Sequence, residues 1–323
     1  MAALTRRALT GGLVGLAVTR AGAAAEWPAR TIAIIHGFPP GGPSDVVARI
    51  IADGLGKALG QSVIVESRTG ASGTLAAAQV ARAAPDGYTL LVIPSGHPTA
   101  AVTFAKLPFR PVADFTMITL ASTYPYVMAV PSASGIKSVA ELIDAGRTRA
   151  AALTFGTPGT GSGPHLAIEL FALTTGIKVQ HIPFRGSAPA TTELIAGRLD
   201  FMMDPPASMM QFIRDGRLRA LAVSGPARYF ALPDTPTLTE AGIAGFEVTG
   251  WQGLIAPAGL PAPILDRLNR EVTRILLEPA AVAQLHAFGN EPAPCSPDEF
   301  KQRIESDIAR WSAVVEQIHF QKI

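Results

Sequence analysis

The stretch Phe38-Pro39-Pro40-Gly41-Gly42-Pro43-Ser44-Asp45 can sit in neither a helix nor a strand interior, and its flanks leave few options. An apolar run, Thr31 to Ile35, leads into it. Beyond it Val47, Ile50, Ile51 and Leu55 recur at the spacing of one helical face. The stretch is therefore a turn from a strand into a helix. Pro43 suits the first helical position, where a missing N–H costs nothing. Gly41 and Gly42 let the backbone curl tightly and let a ligand approach it. The free N–H groups of the helix start, with the positive end of the dipole behind them, then make a seat for an anion. No Gly-Lys-Ser/Thr follows, so this is not a Walker phosphate loop, and the spacing is not GxGxxG. The same device returns in mid-chain as Gly156-Thr157-Pro158-Gly159-Thr160-Gly161-Ser162-Gly163-Pro164-His165. It follows a short strand, Leu153 to Phe155, and opens a helix striped by Leu166, Leu170 and Leu173. Either turn alone is an ordinary tight connection. Two matched turns in separate halves of the chain point to one ligand shared between them.

The first 25 residues read as an export signal rather than fold: Arg6 and Arg7, a weakly apolar Ala/Gly/Leu/Val run, and Ala23-Ala24-Ala25 before Glu26. The arginine pair resembles a twin-arginine signal, and an ordinary Sec signal stays open beside it. A membrane anchor fits poorly, because Thr19 and Arg20 interrupt a run that is short for a span. Loss of this segment removes three arginines and no acid, which takes the formal net charge from +2 to −1. A nearly neutral chain without a basic cluster is a poor nucleic-acid binder. The single Cys295 excludes an internal disulfide and a cysteine metal cage. The histidines lack metal spacing, so neither cofactor nor metal is expected.

The remaining length suits two lobes better than one core, and strands alternate with helices throughout, which argues for α/β layers. Expected strands are Ser62 to Glu66, Tyr88 to Ile93, Tyr126 to Val130, Val179 to Pro183, Leu199 to Met203, Leu218 to Ser224 and Gly250 to Ala256. An Ala-rich helix runs to Ala84, and another ends at Ala196. Pro94-Ser95-Gly96-His97 reads as a loop at the carboxyl end of a strand, where open α/β sheets place ligands. Ser138 with Glu141, and Ser296 with Glu299, are capping boxes. A C-terminal helix carries Phe300, Ile304, Ile308, Trp311 and Val315 on one stripe, and Ile264, Leu268, Val272 and Ile275 share another face. The chain shows no tandem repeat and no low-complexity linker, so strands should cross between the lobes.

These stretches resemble the Bug-type, TctC-like solute receptors of tripartite tricarboxylate transporters. The matches run in family order over nearly all of the chain after residue 25: Phe38-Pro39-Pro40-Gly41-Gly42 with Asp45; Glu66-Ser67-Arg68 with Gly70 and Gly73; Ala84-Pro85-Asp86-Gly87-Tyr88-Thr89-Leu90-Leu91; Pro164-His165-Leu166; Pro183-Phe184-Arg185-Gly186-Ser187-Ala188-Pro189; Leu232-Pro233-Asp234-Thr235-Pro236-Thr237; and Ala256-Pro257-Ala258-Gly259. The resemblance implies a type II periplasmic-binding fold, two α/β lobes around a ligand cleft. Crossings are expected near Tyr126–Val130 and Thr249–Leu254, with one lobe from 26–126 plus 250–323 and the other from 127–249. It implies a periplasmic, monomeric receptor that binds a small carboxylate and serves membrane permease subunits. The ligand-binding residues carried over are Phe38, Pro39, Gly41, Gly42, Ser44, Ser95 and Gly96 from one lobe. Thr160, Gly161, Ser162, His165, Arg185, Gly186 and Asp204 come from the other. The chain departs from the family where Gly37 replaces a frequent Pro, and where Pro205 follows Asp204 in place of Asn or Ser.

Several of these residues have a plain structural reading as well. Asp45 closes the first helical turn against the dipole. Asp204 either accepts from a ligand hydroxyl or amine, or caps the next helix. Arg185 is a carboxylate partner or a solvated loop residue, His165 a ligand contact or a cap, and His36 a core residue. Ser95, His97 and Asp204 lack a nucleophile-elbow frame, which argues against a hydrolase. A LysR-type effector domain shares this fold, but a DNA-binding helix-turn-helix would precede it where an export signal stands here. A sensor that signals to a membrane partner, or an enzyme on the same fold, is the alternative to a transport receptor.

Overall fold

The computed structural model describes residues 27–323, so the export segment expected at 1–25 lies outside the described residues. Strand β1 (Ile32–His36) enters the first glycine turn and helix α1 (Pro43–Leu59) leaves it, with Pro43 as the first helical residue and Gly42 as N-cap. Val47, Ile50, Ile51 and Leu55 are buried, as their spacing requires. Then come β2 (Val63–Ser67), α2 (Thr74–Val80), β3 (Thr89–Pro94), α3 (Gly96–Thr103) and β4 (Phe115–Pro125). Three of these differ from expectation. The segment after Pro94 is a helix, not a loop; its Ala- and Thr-rich sequence has no apolar period to betray it. β4 goes unread in the sequence because nearly all of it is buried, and a strand covered on both faces loses its alternation. Helix α2 also stops at Val80, short of Ala84.

The second half repeats the plan: β5 (Val127–Pro131), α4 (Val139–Thr148), β6 (Leu153–Thr157), α5 (Gly163–Thr175), β7 (Val179–Pro183), α6 (Ser187–Ile195), β8 (Phe201–Asp204), α7 (Pro206–Arg214) and β9 (Leu218–Val223). The chain then returns through β10 (Thr249–Pro257), α8 (Ala262–Leu276), α9 (Pro279–Ala287), β11 (Glu291–Pro292) and α10 (Pro297–Gln317). The first sheet has the order β11-β4-β10-β3-β1-β2 and the second β7-β6-β8-β5-β9. Apart from the short β11, the two orders are the same. Each lobe has three successive βα units, and one antiparallel strand wedged beside the third; that strand belongs to the stretch next to the lobe crossing. The two glycine turns, β1–α1 and β6–α5, are therefore equivalent positions in two copies of one topology. So are the β3–α3 and β8–α7 connections.

The chain passes from the first sheet to the second through Tyr126 and returns between Val223 and Thr249. Ser224, fully buried, laces these passages together. Its hydroxyl donates to the Val248 carbonyl and accepts from the Tyr126 N–H, while its own N–H donates to the Tyr126 carbonyl. Helix α10 opens with the expected Ser296–Glu299 box. It puts Phe300 and Ile304 into the first lobe's core, and Trp311 and Val314 into the second's. At α4 only half the box forms: Ser138 accepts from Glu141 N–H, but Glu141 turns to Lys137 N–H. Helix α5 is rotated from its expected stripe. Phe171 faces inward, and Leu173 is exposed.

Candidate functional site

The second glycine turn lines a cavity of about 280 Å³ between the lobes, and the first turn reaches it only through Phe38. The first turn is held from below. Ser67 Oγ donates to the Phe38 carbonyl at 2.6 Å. Gly41 N–H donates to Asp45 Oδ2 at 2.9 Å, and the other oxygen of this buried carboxylate meets His36 Nε2 at 3.1 Å. Arg49 also bonds Asp45, and its hydrogen bond, with that of Gly41, holds the carboxyl below the usual range against the opposing effect of burial. Burial pushes His36 the other way for a base, to lower pKa, so it is a neutral core residue. Asp45 has the structural role its place at the helix start implies. Ser44 Oγ donates to Gln252 Oε1 at 2.8 Å, tying α1 to β10. Gly37 is explained by sterics: a Cβ there would lie 2.3 Å from the Cα of Gly73, backbone against backbone.

The second turn spends most of its own donors internally. Gly159 N–H reaches Thr157 Oγ1, Ser162 N–H the Gly159 carbonyl, and Gly161 N–H the Nδ1 of His165 at 3.0 Å. Ser162 Oγ caps α5 by accepting from His165 N–H, and Pro164 has none. The N–H groups of Thr160 and Gly163 are left without an acceptor among the described residues. Because His165 accepts at Nδ1, its proton sits on Nε2, toward Glu169 at 3.5 Å. The imidazole is buried and stacks on His181 with centroids 3.8 Å apart. Burial, with His165 alongside, pushes His181 down to about 3.

The third wall is the start of α3. Ser95 N–H donates to the Trp251 carbonyl at 2.9 Å, leaving Gly96 to offer its N–H as the first residue of the helix. His97 turns away, with Nε2 at 2.9 Å from the Pro111 carbonyl and its ring stacked on Phe109. Burial pushes it down to about 4. The equivalent corner of the other lobe is different. Asp204 is fully buried; Oδ2 accepts from Ser208 at 2.6 Å and Oδ1 has no partner among the described residues. Burial pushes this carboxyl up to about 6 despite nearby serine hydroxyls. Ser95, His97 and Asp204 form no triad.

Of the residues singled out in the sequence, Phe38, Ser95, Gly96, Thr160, Gly161 and Ser162 wall the cavity. Pro39, Gly41, Gly42, Ser44, His165, Arg185, Gly186 and Asp204 do not. Arg185 is exposed, and Gly186 is the left-handed N-cap of α6. The walls also include Thr103, Phe104, Tyr124 and Ile323, which the sequence did not point to, and Tyr126 and Pro205, read there only as a crossing residue and a departure from the family. Most of them sit on or beside α3 and β4, the two elements hidden from pattern reading. Among the described residues no cluster of His, Cys, Asp or Glu could hold a metal, and no helix is long and apolar enough to cross a membrane.

The buried titratable groups give opposite pH slopes. His97 binds its proton less readily folded (about 4) than its ordinary value of 6.5. Its contribution to stability is complete above 6.5 and is lost as pH falls through 4. Asp204, raised from 3.8 to about 6, favours the fold below 3.8 and loses that contribution as pH rises through 6. Replacing His97→Phe removes the first slope alone. Between pH 7.5 and 5 the variant should gain roughly 2 kcal/mol relative to the parent, measured by urea unfolding. Parallel pH profiles would show that His97 is not buried as described.

A family model for the "Tripartite tricarboxylate transporter family receptor" matches residues 47–320. The UPF0065 protein in the tcbD-tcbE intergenic region of Pseudomonas sp. (strain P51) is 36% identical over 315 residues, covering 96% of this chain and 93% of that one. Among solved structures, R. palustris Rpa4515 with adipate matches at a TM-score of 0.79 and 34% identity, covering 90% of this chain and 98% of that one. MatC (Rpa3494) from Rhodopseudomonas palustris with bound malate matches at 0.75 and 35%, covering 90% and 100%. The architecture is thus the two-lobed periplasmic-binding fold expected from the sequence.

Proposed function

The chain belongs to the tripartite tricarboxylate transporter receptor family, a family of periplasmic receptors and not of enzymes, and on that premise we propose that it captures a small carboxylate between its lobes and delivers it to the membrane subunits of a tripartite transporter. Residues 1–25 direct its export by the twin-arginine or Sec route, and it works as a monomer. The lobes divide at 26–126 plus 250–323 against 127–249. Adipate in Rpa4515 and malate in MatC support the carboxylate. The observation that carries the reading is the convergence of unspent donors on one cavity. Thr160 and Gly163 offer N–H groups from one lobe, and the start of α3 offers Gly96 from the other, with Ser95, Thr160 and Ser162 hydroxyls beside them. The remaining turn residues, Phe38, Pro39, Gly41, Gly42 and Ser44, shape the first wall. His165, Arg185, Gly186 and Asp204 support or rim the second.

A carboxylate seated there satisfies both lobes at once, so closure gains contacts that the open state lacks. A shift from 1:99 to 99:1 needs about 5.5 kcal/mol of differential affinity. A few charge-assisted hydrogen bonds at about 1.5–3 kcal/mol each supply it. The Ser224 lacing holds the two passages together as a short hinge without a linker. The test is calorimetric titration with a panel of mono- and dicarboxylates, then small-angle scattering with the best binder. A binder is expected, and the radius of gyration is expected to fall at saturation. No carboxylate bound would overturn the receptor reading, and an unchanged scattering curve would overturn closure.

A further inference from the structure

The cavity walls are unusual for an anion site in what they lack. Among the described residues that wall the cavity there is no Lys, Arg or His side chain. Apolar and aromatic groups dominate instead: Phe38, Phe104, Tyr124, Tyr126 and Pro205, with Ile323 closing one side. Ile323 is fixed there by two backbone bonds to the end of α3, donating to the Thr103 carbonyl at 2.9 Å and accepting from Ala105 N–H at 2.8 Å. Its neighbour Phe320 packs on His165, centroids 5.9 Å apart, so this tail touches both lobes.

The four equivalent corners of the two lobes are not alike. Two put N–H groups or hydroxyls on the cavity, the β6–α5 turn and the start of α3, while the β1–α1 turn presents only Phe38, its Gly41 N–H and Ser44 hydroxyl being spent on Asp45 and Gln252. The fourth, β8–α7, presents only Pro205 to it. Pro205 and Pro206 carry no N–H, and behind them lies the buried carboxylate of Asp204 with one oxygen unpartnered. Tyr124 and Tyr126 line the cavity, and their phenols are held up by burial and, to a lesser degree, by the Asp204 charge. A single carboxylate has donors here. A second would find only hydroxyls and no cation in the walls, with the Asp204 carboxylate behind Pro205, which is costly.

We infer that the ligand carries one carboxylate on an uncharged apolar or aromatic body, and that the Pro205 corner and Ile323 exclude diacids. This rests on the receptor reading above, and it separates the chain from Rpa4515 and MatC, whose ligands adipate and malate are diacids.

The test uses pairs matched in body and differing in one carboxylate: hexanoate against adipate, and benzoate against terephthalate. Hexanamide and benzamide serve as uncharged counterparts. Calorimetric titrations at pH 7.5 on protein freed of co-purified solute should show at least one monoacid binding at least ten-fold tighter than its diacid. Equal or tighter binding by the diacid overturns this inference and leaves the receptor reading intact. Binding only of the amides, or of none of the six, overturns both. Ile323 is half exposed, so Ile323→Arg should fold, and it places a guanidinium in the wall. The adipate-to-hexanoate affinity ratio should rise at least ten-fold in that variant. An unmoved ratio would remove Ile323 from the specificity wall.

Discussion

Trp251→Ala should lower the unfolding free energy by about 4 kcal/mol, the range for deleting a fully buried large aromatic. Trp251 has no exposed surface and sits on β10, the strand between β3 and β4 in the first sheet. Its ring meets Phe300 of α10 edge-on with centroids 5.4 Å apart. Its Nε1–H donates at 2.8 Å to Asp307, a buried carboxylate of the same helix that Arg303 also holds. The substitution therefore opens a large void and removes one of two partners of a buried charge. The main-chain carbonyl of Trp251 also positions Ser95 at the cavity, so ligand affinity should fall with stability. Urea unfolding checks it, with Trp251→Phe as the control that keeps a ring but loses the hydrogen bond. That control should cost clearly less than the alanine. If the two cost the same, the hydrogen bond rather than packing dominates, and the account of the core is wrong.

Gly161→Val should reduce ligand affinity at least a hundred-fold while the chain still folds. Gly161 has φ of +74°, a conformation that costs an L-residue about 1–2 kcal/mol and a β-branched one more. Its Cβ would lie 3.0 Å from that of Thr103, on the opposite wall of the cavity. Turning the backbone to relieve either strain takes the Gly161 N–H off His165 and re-aims the Thr160 N–H beside it. A hundred-fold loss corresponds to about 2.8 kcal/mol, the scale of one or two charge-assisted hydrogen bonds. Gly42→Val is the instructive contrast. Both turns look equally intolerant in the sequence, but Gly42 has φ of −83° and ψ of 174°, and its added Cβ would meet only the Pro39 carbonyl at 3.5 Å. The first turn should bear valine with a much smaller loss. Titration alongside circular dichroism decides both cases, and full affinity in a folded Gly161→Val protein would remove this turn from the site.

What could be read in the sequence was whatever left a period or a punctuation mark. The glycine turns, the α1 face, β7 and the Ser296 box were legible because each pairs a stop signal with a regular apolar spacing. α3 and β4 were not. One is too uniformly small and the other too uniformly buried for alternation to show. Their loss hid Thr103, Phe104 and Tyr124, and with them much of the cavity wall. The internal donors were hidden for another reason. That Gly161 gives its N–H to His165, or Gly41 to Asp45, depends on where a side chain four residues later folds back, which spacing alone does not decide. The repeated topology was invisible as well, since the two copies share strand order and turn position but no recognisable string of residues.

The interleaving of strands has a consequence for how the molecule comes apart. β10 joins the first sheet only after the chain has built the whole second sheet from β5 to β9, so the first lobe is made of two pieces of chain and the second of one. Helix α10 adds to this by ending in the core opposite the one in which it begins. Losing either sheet strips the other of covered apolar surface and frees one end of the shared helix. The two lobes are therefore expected to melt as one cooperative unit, and a fragment holding a single lobe would carry an unfinished core. The segments proposed as the hinge are the ones that make folding indivisible.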